Sequence, residues 1–547
     1  MTPNHNTGQP DPNQRQRLLW AVALSAAVLI VFDGLSMMMF GRHVMSGVIT
    51  PPMPKPAIEQ VVAPVEESAG SGILVKLENP ALQAEVALTG GRIEQVLLKR
   101  YAEKLGAEKG YQLFANDVAH AERIVSGWQG AGIEGPSANT PWQLEADVNG
   151  EGKPLVMVWR NGTGQSFQRE IKPIADSYMM EITERVVNGA ALPVTLTPFA
   201  QVERMGGSLP NEHSSWVNFL GPMGVVQGAD GKMVTHQQGF DTLKKGQFIK
   251  QEGTGGWWGI TSQYFMAAIL PDAGVAGQSE RELRHDVVAG KDRFTARVAW
   301  QPMVVQAGGS AALTYQVYMG PKQEAQLQRA GHELERAIEW GWFVMIAKPL
   351  YHVLVWLHAY LGNWGLAVIA ITLLLKIVTF PLANKSYHAM ARMKKLQPKI
   401  EKLKERLGDD QQAMAVEMMK IYREEKVNPL SGCWPMLIQI PIFFAMYKVV
   451  LVAFEFRHAP LALWVQDMSL PDPWFVLPVL MGVSMWAQFK LNPPPTDPTQ
   501  AAVFAWMPAM MTVMFLWFPS GLVLYWLTNN VLSVAQQWWI MRADKAI

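Results

Sequence analysis

A lysine interrupts a long apolar stretch in the C-terminal part of this sequence. Lys376 lies within LAVIAITLLLKIVTFPL, residues 366–382, with Thr372 four residues before it and Thr379 three residues after it. On a helix these three side chains share one face. An ionisable group inside an apolar span is energetically costly, and such groups commonly mark substrate or ion pathways. The pattern therefore predicts a functional cation at membrane depth.

Snorkelling is the structural alternative for Lys376. Counted from a helix start near residue 360, the lysine is about sixteen residues, roughly 24 Å, into the bilayer. It is also about nine residues, roughly 13 Å, short of a basic segment that begins at Lys385. A lysine stem does not reach so far comfortably. We therefore favour a functional role over snorkelling.

Other polar residues occur in the apolar segments that follow. Gln439 lies in the next segment, and Ser484, Thr528 and Asn529 lie in later ones. Together with Lys376 they are consistent with a hydrated groove inside a helical bundle. Each of them alone also fits a hydrogen bond between two membrane helices.

The composition is that of a membrane protein with a large soluble part. The chain has 547 residues, of which 49% are hydrophobic and 17% charged, with a net charge of +1. Its one cysteine, Cys433, excludes an intramolecular disulfide and is best explained by packing. No GxxxxGK[ST] loop and no His/Cys cluster at metal spacing is present in the sequence. We therefore predict no bound nucleotide, cofactor or metal.

The N-terminal region is predicted to anchor the chain. Residues 18–40 are apolar and long enough to span a bilayer. Arg15 and Arg17 stand before them, which favours a cytoplasmic N-terminal tail over residues 1–17. A Pro-rich linker over residues 41–70 follows.

A large exported β domain is predicted next. Residues 71–325 contain short alternating runs, such as Tyr178, Met180 and Ile182, separated by Gly, Asn and Pro turns. This pattern is typical of a β-sandwich. Residues 330–346 then show apolar side chains at helical spacing with two tryptophans, which predicts an amphipathic helix in the membrane interface.

The remaining residues, 347–547, are predicted to form a five-helix core. The expected spans cover about residues 360–382, 430–450, 474–489, 503–518 and 522–540. With the anchor they make six spans, so both termini are expected in the cytoplasm and the β domain on the exported side.

A basic segment between the second and third spans supports this orientation. Residues 384–428 are rich in Lys and Arg, whereas the loop over residues 452–473 has Arg457 as its only Lys or Arg. Excess positive charge marks cytoplasmic loops. Apolar residues at steps of three and four, followed by LGDD, predict a cytoplasmic helical hairpin, and Pro398 is expected to break or kink its first arm. The residues expected to face a cytoplasmic partner are Lys394, Lys395, Lys399, Lys402 and Arg406. A solvated charged hairpin without a partner is the alternative.

The C-terminal sequence resembles the YidC membrane protein insertase family. The resemblance is carried, in order, by GNWGLAVIAITLLLKIVTFPL, MKKLQPKIEKLKERLGDD, EKVNPLSGCWPMLIQIPIFFAMY, LPVLMGVSMW and LWFPSGLVLYWLTNN. In the β domain, GGRIEQVLLKRY, GGWWGITSQYF and YMGPK resemble the periplasmic domain of the Gram-negative members.

The resemblance implies a protein of the bacterial inner membrane that inserts and helps fold integral membrane proteins, alone or with the Sec translocon. It implies insertion without covalent chemistry, by a protein that is not an enzyme. It also implies nascent membrane proteins, ribosomes and the lipid bilayer as partners, and a chain that works as a monomer. The family's hydrophilic groove carries one positive charge, which maps onto Lys376, and substrate-contacting positions map onto Tyr525 and Trp526. The family most often has arginine at the charged position, and lysine lacks its planar fork.

Two other classes of protein share parts of the pattern. A secondary transporter also carries a buried charge, but it usually shows paired halves, and no internal repeat is visible in this sequence. A membrane-anchored carbohydrate-binding protein would also carry a large β-sandwich.

The topology can be tested by thiol labelling. Because both termini are expected in the cytoplasm, a cysteine introduced as Lys545→Cys should not react with a membrane-impermeant thiol reagent in intact cells. A cysteine in the β domain should react and serves as the control. Labelling at position 545 from outside would contradict the six-span topology.

Overall fold

The computed structural model describes residues 72–115, 121–145, 150–207, 219–228, 230–271, 279–407, 411–425, 434–492 and 498–543. The predicted tail, anchor and linker, residues 1–70, lie outside these ranges, as do Cys433 and Lys545.

The first half of the described chain is built from strands. They are β1 (Leu74–Glu78), β2 (Leu82–Ala87), β3 (Arg92–Ala102), β4 (Gly110–Phe114), β5 (Glu122–Gln129), β6 (Gln143–Leu144), β7 (Leu155–Arg160), β8 (Gln165–Pro173), β9 (Met179–Asn188), β10 (Val194–Met205), β11 (Gly221–Gln227), β12 (Met233–Gln237), β13 (Ile249–Thr261), β14 (Phe265–Pro271), β15 (Ser279–Val288), β16 (Lys291–Ala299), β17 (Met303–Val305) and β18 (Ser310–Pro321).

These strands form two antiparallel sheets. One runs β1–β2–β3–β5–β10–β16–β15–β13, with β4 beside β3 and β17 beside the start of β10. The other runs β6–β7–β8–β9–β18–β14–β13–β11–β12. The long strand β13 belongs to both, because its first half pairs with β15 and its second half with β11 and β14.

A buried ion pair links the two sheets. Alternate residues of β9 are buried, and one of them, Glu184, is charged. Its Oε1 accepts hydrogen bonds from Arg169 Nε of β8 and from Ser126 Oγ of the facing sheet, each at 2.6 Å. Arg169 also donates to the carbonyl oxygens of Ser126, at 2.7 Å, and Gly91. Because both charges are 1% exposed, each depends on these partners for its stability.

The helices follow the strands, apart from one short helix inserted between β12 and β13. They are α1 (Phe240–Lys244), α2 (Glu324–Ala330), α3 (Val344–Leu361), α4 (Trp364–Leu407), α5 (Gln411–Glu424), α6 (Trp434–Val452), α7 (Val476–Leu491), α8 (Pro498–Phe515) and α9 (Ser520–Ala543). The predicted order of a β-rich domain followed by a helical region is confirmed.

Two predicted details of the helical region differ from the structure. Residues 330–346 are not one amphipathic helix: Leu334–Ala337 form a 3-10 turn, and helix α3 begins only at Val344. Here Glu333 and Gly341 adopt positive φ angles, which a helix cannot accommodate. The predicted break at Pro398 does not occur, because α4 continues through Pro381 and Pro398 for 44 residues.

Helices α4 and α5 pack together as two arms. Leu396 and Ile400 of α4 are buried against Met418, Ile421 and Tyr422 of α5. At the same end, Lys399 Nζ lies 2.5 Å from Glu425 Oε1. The apolar repeat of the first arm therefore serves the contact with the second.

The connection between α6 and α7 inserts into the β domain. Phe454 is 7% exposed, and its ring lies 4.9 Å from that of Tyr101 and 5.5 Å from that of Phe265. Arg457 Nη2 donates to the carbonyl oxygens of Ala102, at 2.8 Å, and Glu103, at 3.1 Å. Its guanidinium also stacks over the Phe265 ring at 5.5 Å. We call Phe454–Arg457 the plug.

Removing the Phe454 ring should destabilise the contact between the plug and the β domain. Phe454→Ala leaves a cavity among aromatic rings, which costs about 3–5 kcal/mol for a buried phenylalanine. We expect a lower thermal midpoint and faster hydrogen exchange around the β13–β14 turn. Leu463→Ala, at an exposed position of the same connection, is the control. Equal exchange in the two variants would show that the plug does not hold the β domain.

The plug also contains a buried carboxyl group. Burial raises the pKa of Glu455, and nearby Glu324 raises it further. The Tyr351 hydroxyl, which donates to Glu455 Oε1 at 2.9 Å, lowers this pKa and so opposes the rise. A raised pKa in the folded protein means that this group stabilises the fold in acid. That contribution is lost as the pH rises through the folded-state pKa.

The substitution Glu455→Gln tests this pH dependence. The amide oxygen retains an acceptor for Tyr351 without a charge, so we expect the variant to be more stable than the parent at pH 8. The difference should shrink as the pH falls towards 4. Thermal unfolding across this range measures it, and a difference that does not change with pH would contradict the assignment.

Candidate functional site

The ammonium group of Lys376 is held by another helix. Lys376 Nζ of α4 donates to Ser533 Oγ of α9 at 2.7 Å. Ser533 is 3% exposed, and its own hydroxyl donates to the carbonyl oxygen of Asn529 at 2.7 Å. The lysine side chain is therefore turned across to α9 and does not extend along its own helix.

A cavity opens beside this lysine. It has a volume of about 320 Å³ and is lined by Leu373, Lys376, Ile377, Phe380, Pro381, Leu532 and Gln536. Five of these seven side chains are hydrocarbon. The cavity thus combines an apolar wall with one cation and one amide.

The two predicted threonines do not contact the lysine ammonium. Thr372 is 1% exposed, and its hydroxyl donates to the carbonyl oxygen of Val368 at 2.6 Å. The Thr379 hydroxyl donates to the carbonyl oxygen of Leu375 at 2.8 Å. Both hydroxyl groups are therefore satisfied by the backbone of their own helix.

Gln439, Tyr525 and Trp526 form a second polar group where α6 meets α9. Gln439 Nε2 donates to the Tyr525 hydroxyl at 2.7 Å. The Trp526 ring packs edge-on against Phe443, with centroids 4.5 Å apart. Among the described residues, the buried Trp526 Nε1 has no hydrogen-bond partner.

These groups follow one side of helix α9. Tyr525, Asn529, Ser533 and Gln536 recur at steps of four, four and three, which places them along one face. Tyr525 and Ser533 are eight residues, roughly 12 Å, apart along the helix axis. Lys376 of α4 and Gln439 of α6 therefore contact this face of α9 at two separate levels.

Sequence reasoning missed Ser533 and Gln536. The available signal was the spacing of polar residues in TNNVLSVAQQ, from which Thr528 and Asn529 were singled out. A single serine or glutamine in an apolar helix is ambiguous, because it can bond any neighbouring helix. Asn530 illustrates this, since its Nδ2 donates to Ser484 Oγ of α7 at 3.2 Å, on another side of α9.

The basic residues of the first arm lie mostly in solvent. Lys395, Lys399, Lys402 and Arg406 are exposed. Lys394 is half-buried, and its Nζ donates to the carbonyl oxygen of Leu491 at the end of α7, at 3.4 Å. Of the five residues predicted to face a partner, Lys394 therefore contacts the core and the other four lie at the surface.

In the part of the chain that the structure describes, no group of three or more His, Cys, Asp or Glu side chains is arranged to hold a metal ion.

Two family models match consecutive parts of this chain. The model described as "YidC periplasmic domain" matches residues 74–353, and the one described as "60Kd inner membrane protein" matches residues 356–546. The chain belongs to the YidC membrane protein insertase family. Its β-rich part is the periplasmic domain of a YidC protein, and the helical part that contains Lys376 is the inner-membrane region.

Curated relatives agree over nearly the full length. A protein of Magnetococcus marinus named "Membrane protein insertase YidC" is 37% identical, with 96% of this chain and 98% of that protein covered. One of Ruegeria sp. with the same name is 40% identical over 84% of this chain and 82% of that protein. A solved structure titled "Active YidC insertase crystal structure with the first transmembrane domain resolved" is 18% identical over 94% of this chain and 98% of that chain. Its TM-score is 0.37.

Proposed function

We propose that this YidC-family chain inserts membrane proteins through the groove that Lys376 and helix α9 form. The observation that carries the proposal is the lysine ammonium, held by Ser533 beside a cavity whose wall is otherwise almost entirely apolar. As a member of its family, the chain is a membrane protein insertase. The transporter and carbohydrate-binding alternatives are not favoured, because the curated relatives are named insertases.

The physical problem is the passage of a polar tail through hydrocarbon. Each polar group that leaves water without a partner costs several kcal/mol, of the order of 2–7 kcal/mol for an amide or hydroxyl. A hydrated notch shortens the apolar path, and a cation in the notch compensates an acidic group on the tail for lost hydration. Insertion by this route needs no hydrolysis and no cofactor.

Contacts at both ends of α3 favour a helix that does not cross the membrane. Helix α3 and α4 are both long and apolar enough to span a bilayer. At the start of α3, Lys348 Nζ lies 3.2 Å from Oε1 of Glu324, which begins the short helix α2 directly after the last strand of the β domain. After its last turn, Asn363 Nδ2 donates to the carbonyl oxygen of Leu461, at 2.9 Å, in the connection that carries the plug. Both ends of α3 therefore lie on the side of the membrane where the β domain lies. We accordingly assign to α3 the interfacial position that the sequence predicted for residues 330–346.

The other connections fit alternating crossings. The plug joins the α6–α7 connection to the β domain, and Ser520 N at the start of α9 donates to the carbonyl oxygen of Leu470 in the same connection, at 2.8 Å. Helices α4, α6, α7, α8 and α9 would then be the five spans of the core. With an anchor over residues 18–40, both termini and the paired arms of α4 and α5 lie in the cytoplasm of a bacterial inner-membrane protein.

The partners follow from this arrangement. The four exposed basic residues of the first arm form a cationic surface suited to a ribosome, whose RNA is anionic. Nascent membrane proteins enter the groove from the lipid side or the cytoplasmic side. The chain works as a monomer, alone or beside the Sec translocon.

The charge of Lys376 provides the test. Lys376→Arg should preserve insertion, whereas Lys376→Met should lower the insertion of a client with Asp residues in its exported tail by about tenfold, the lower value for one hydrogen bond to a charged group. The same client with Asn in place of Asp is the matched substrate. Insertion is measured with reconstituted protein and nascent chains.

Protein abundance and thermal stability must be measured in parallel. Removing a buried charge often stabilises a protein, so the Met variant should be at least as stable as the parent. Equal insertion of both tails by Lys376→Met, at normal abundance, would make Lys376 a structural residue.

A further inference from the structure

Two cavities that share one side chain lie where the α6–α7 connection meets the β domain. The larger has a volume of about 500 Å³ and is lined by the β3–β4 turn of the β domain and by the connection. The carboxylates and cations in its lining are Glu103, Lys104, Arg457 and Asp467. The smaller, of about 460 Å³, is lined by Leu463, Trp464 and Trp474. Because Trp464 lines both, a charged cavity adjoins an apolar one.

Arg457 offers hydrogen-bond donors to the larger cavity. Both of its hydrogen bonds to the β domain come from Nη2. Among the described residues, Nε and Nη1 have no hydrogen-bond partner, and neither belongs to the buried unpaired atoms. Guanidinium groups form short, charge-assisted hydrogen bonds with phosphate oxygens. Arg457 therefore retains accessible donors that suit a phosphate.

Asp467 offers an acceptor to the same cavity. Its Oδ1 accepts hydrogen bonds from Ser469 N, at 2.8 Å, and Ser469 Oγ, at 2.6 Å, which fix the carboxylate. Its Oδ2 lies 4.0 Å from His458 Nε2, beyond hydrogen-bond distance. Burial lowers the pKa of His458, so this imidazole is neutral at pH 7. With two cations and two carboxylates, the lining matches a ligand that carries one charge of each sign.

Two stacked tryptophans border the smaller cavity. The rings of Trp464 and Trp474 are 5.8 Å apart and 9° from parallel. Asp472, which is fully buried, accepts hydrogen bonds from Trp464 Nε1 at 2.9 Å and from Trp474 N at 3.0 Å. Trp474 is nevertheless 69% exposed. Because the pair is already ordered, covering it with a ligand costs little further conformational entropy.

This aromatic pair continues the outer surface of α7. Trp474 and Phe475 directly precede α7, whose first turns expose Val479, Leu480 and Val483. Tryptophan is enriched at the membrane–water boundary, where one end of the ring system is apolar and the other meets polar groups. The smaller cavity therefore lies at the level where acyl chains begin, and the larger one lies on the headgroup side.

We propose that the two cavities bind one phospholipid of the periplasmic leaflet with a zwitterionic amine headgroup, as in phosphatidylethanolamine. Arg457 donates to its phosphate, and Asp467 accepts from its ammonium group. An acyl chain covers Trp464 and Trp474. Because the β domain and the connection both line the larger cavity, the bound headgroup bridges them. The inference goes beyond the insertase groove and rests on the proposed placement of α7 as a membrane span.

The experiment measures lipid binding to the full chain in detergent by native mass spectrometry. The protein is titrated with phosphatidylethanolamine and, separately, with phosphatidylglycerol, whose headgroup lacks the ammonium. Soluble glycerophosphoethanolamine, which has the headgroup but no acyl chains, is the competitor. The variants are Asp467→Asn, Arg457→Lys and Trp474→Ala. The control is Trp517→Ala, which removes a tryptophan that is 70% exposed and lines neither cavity.

We expect the parent to prefer phosphatidylethanolamine by about tenfold, the lower value for one hydrogen bond to a charged group. Asp467→Asn should abolish this preference without weakening phosphatidylglycerol. Arg457→Lys should weaken both lipids and keep their ratio, since lysine lacks the planar set of donors. Trp474→Ala should weaken both about fivefold, the size of one aromatic contact. Trp517→Ala should change neither.

Three results would each overturn the inference: equal binding of the two lipids by the parent, a preference that survives Asp467→Asn, or equal losses in Trp474→Ala and Trp517→Ala. Displacement of the lipid by an equimolar amount of glycerophosphoethanolamine would overturn it too, because the headgroup alone would then account for binding. Asp467→Asn keeps the shape of the side chain and leaves the plug intact, so its result stands even if Arg457→Lys loosens the β domain. The insertion test of Lys376→Met uses a different site, so the proposed function and this inference fail independently.

Discussion

An ammonium group among apolar helices requires an oxygen atom within hydrogen-bond distance, because hydrocarbon offers it nothing in exchange for water. In this protein, the oxygen comes from Ser533 of a different helix. The contact therefore ties the position of the charge to the packing of α4 against α9. Any movement that separates these helices also breaks the hydrogen bond of the lysine. The packing of the two helices and the hydrogen bonding of the charge therefore depend on each other.

Helix α9 satisfies polar groups on more than one side. One face meets Lys376 through Ser533 and Gln439 through Tyr525. Another meets α7 through Asn530 and Gln537. The second set joins α9 to α7 and the residue that follows it through hydrogen bonds between side chains. Buried atoms without a hydrogen-bond partner among the described residues occur in both regions, at Gln536 Nε2, Trp526 Nε1 and Gln537 Oε1. Unpaired polar atoms therefore do not distinguish one face of α9 from the other.

The sequence predicted the coarse architecture well and the details of the site only in part. Alternating residues such as Met180 and Ile182 and the long apolar runs determine strands and helices directly, so the β-rich domain and the helical region could be predicted. The lysine itself could be identified as a candidate because snorkelling explains poorly a charge so far from either end of an apolar run. Its partner Ser533 could not be identified, since a serine hydroxyl can bond to its own helix or to any neighbour, and only the packing of the helices decides between them.

The helix predicted over residues 330–346 was wrong for a similar reason. Helical spacing of apolar side chains was present, but backbone turns at Glu333 and Gly341 direct the chain from the β domain to α3.

The plug gives the β domain a role in the orientation of the whole chain. Loop 452–473 was distinguished in the sequence by its single basic residue, Arg457, a pattern that placed the loop on the exported side by charge counting alone. The structure uses the same residue to bind backbone carbonyl oxygens of the β domain. Two independent physical arguments, one from the distribution of positive charge and one from direct contact, therefore assign this loop and the β domain to the same side of the membrane.

Leu461 and Leu470 of this loop also bind the starts of α4 and α9. The start of the helix that carries Lys376 and the start of the helix that carries Ser533 are therefore held at one level. The depth at which ammonium and hydroxyl meet then follows from helix rise, Lys376 being twelve residues, roughly 18 Å, from the start of α4 and Ser533 thirteen residues, roughly 20 Å, from the start of α9.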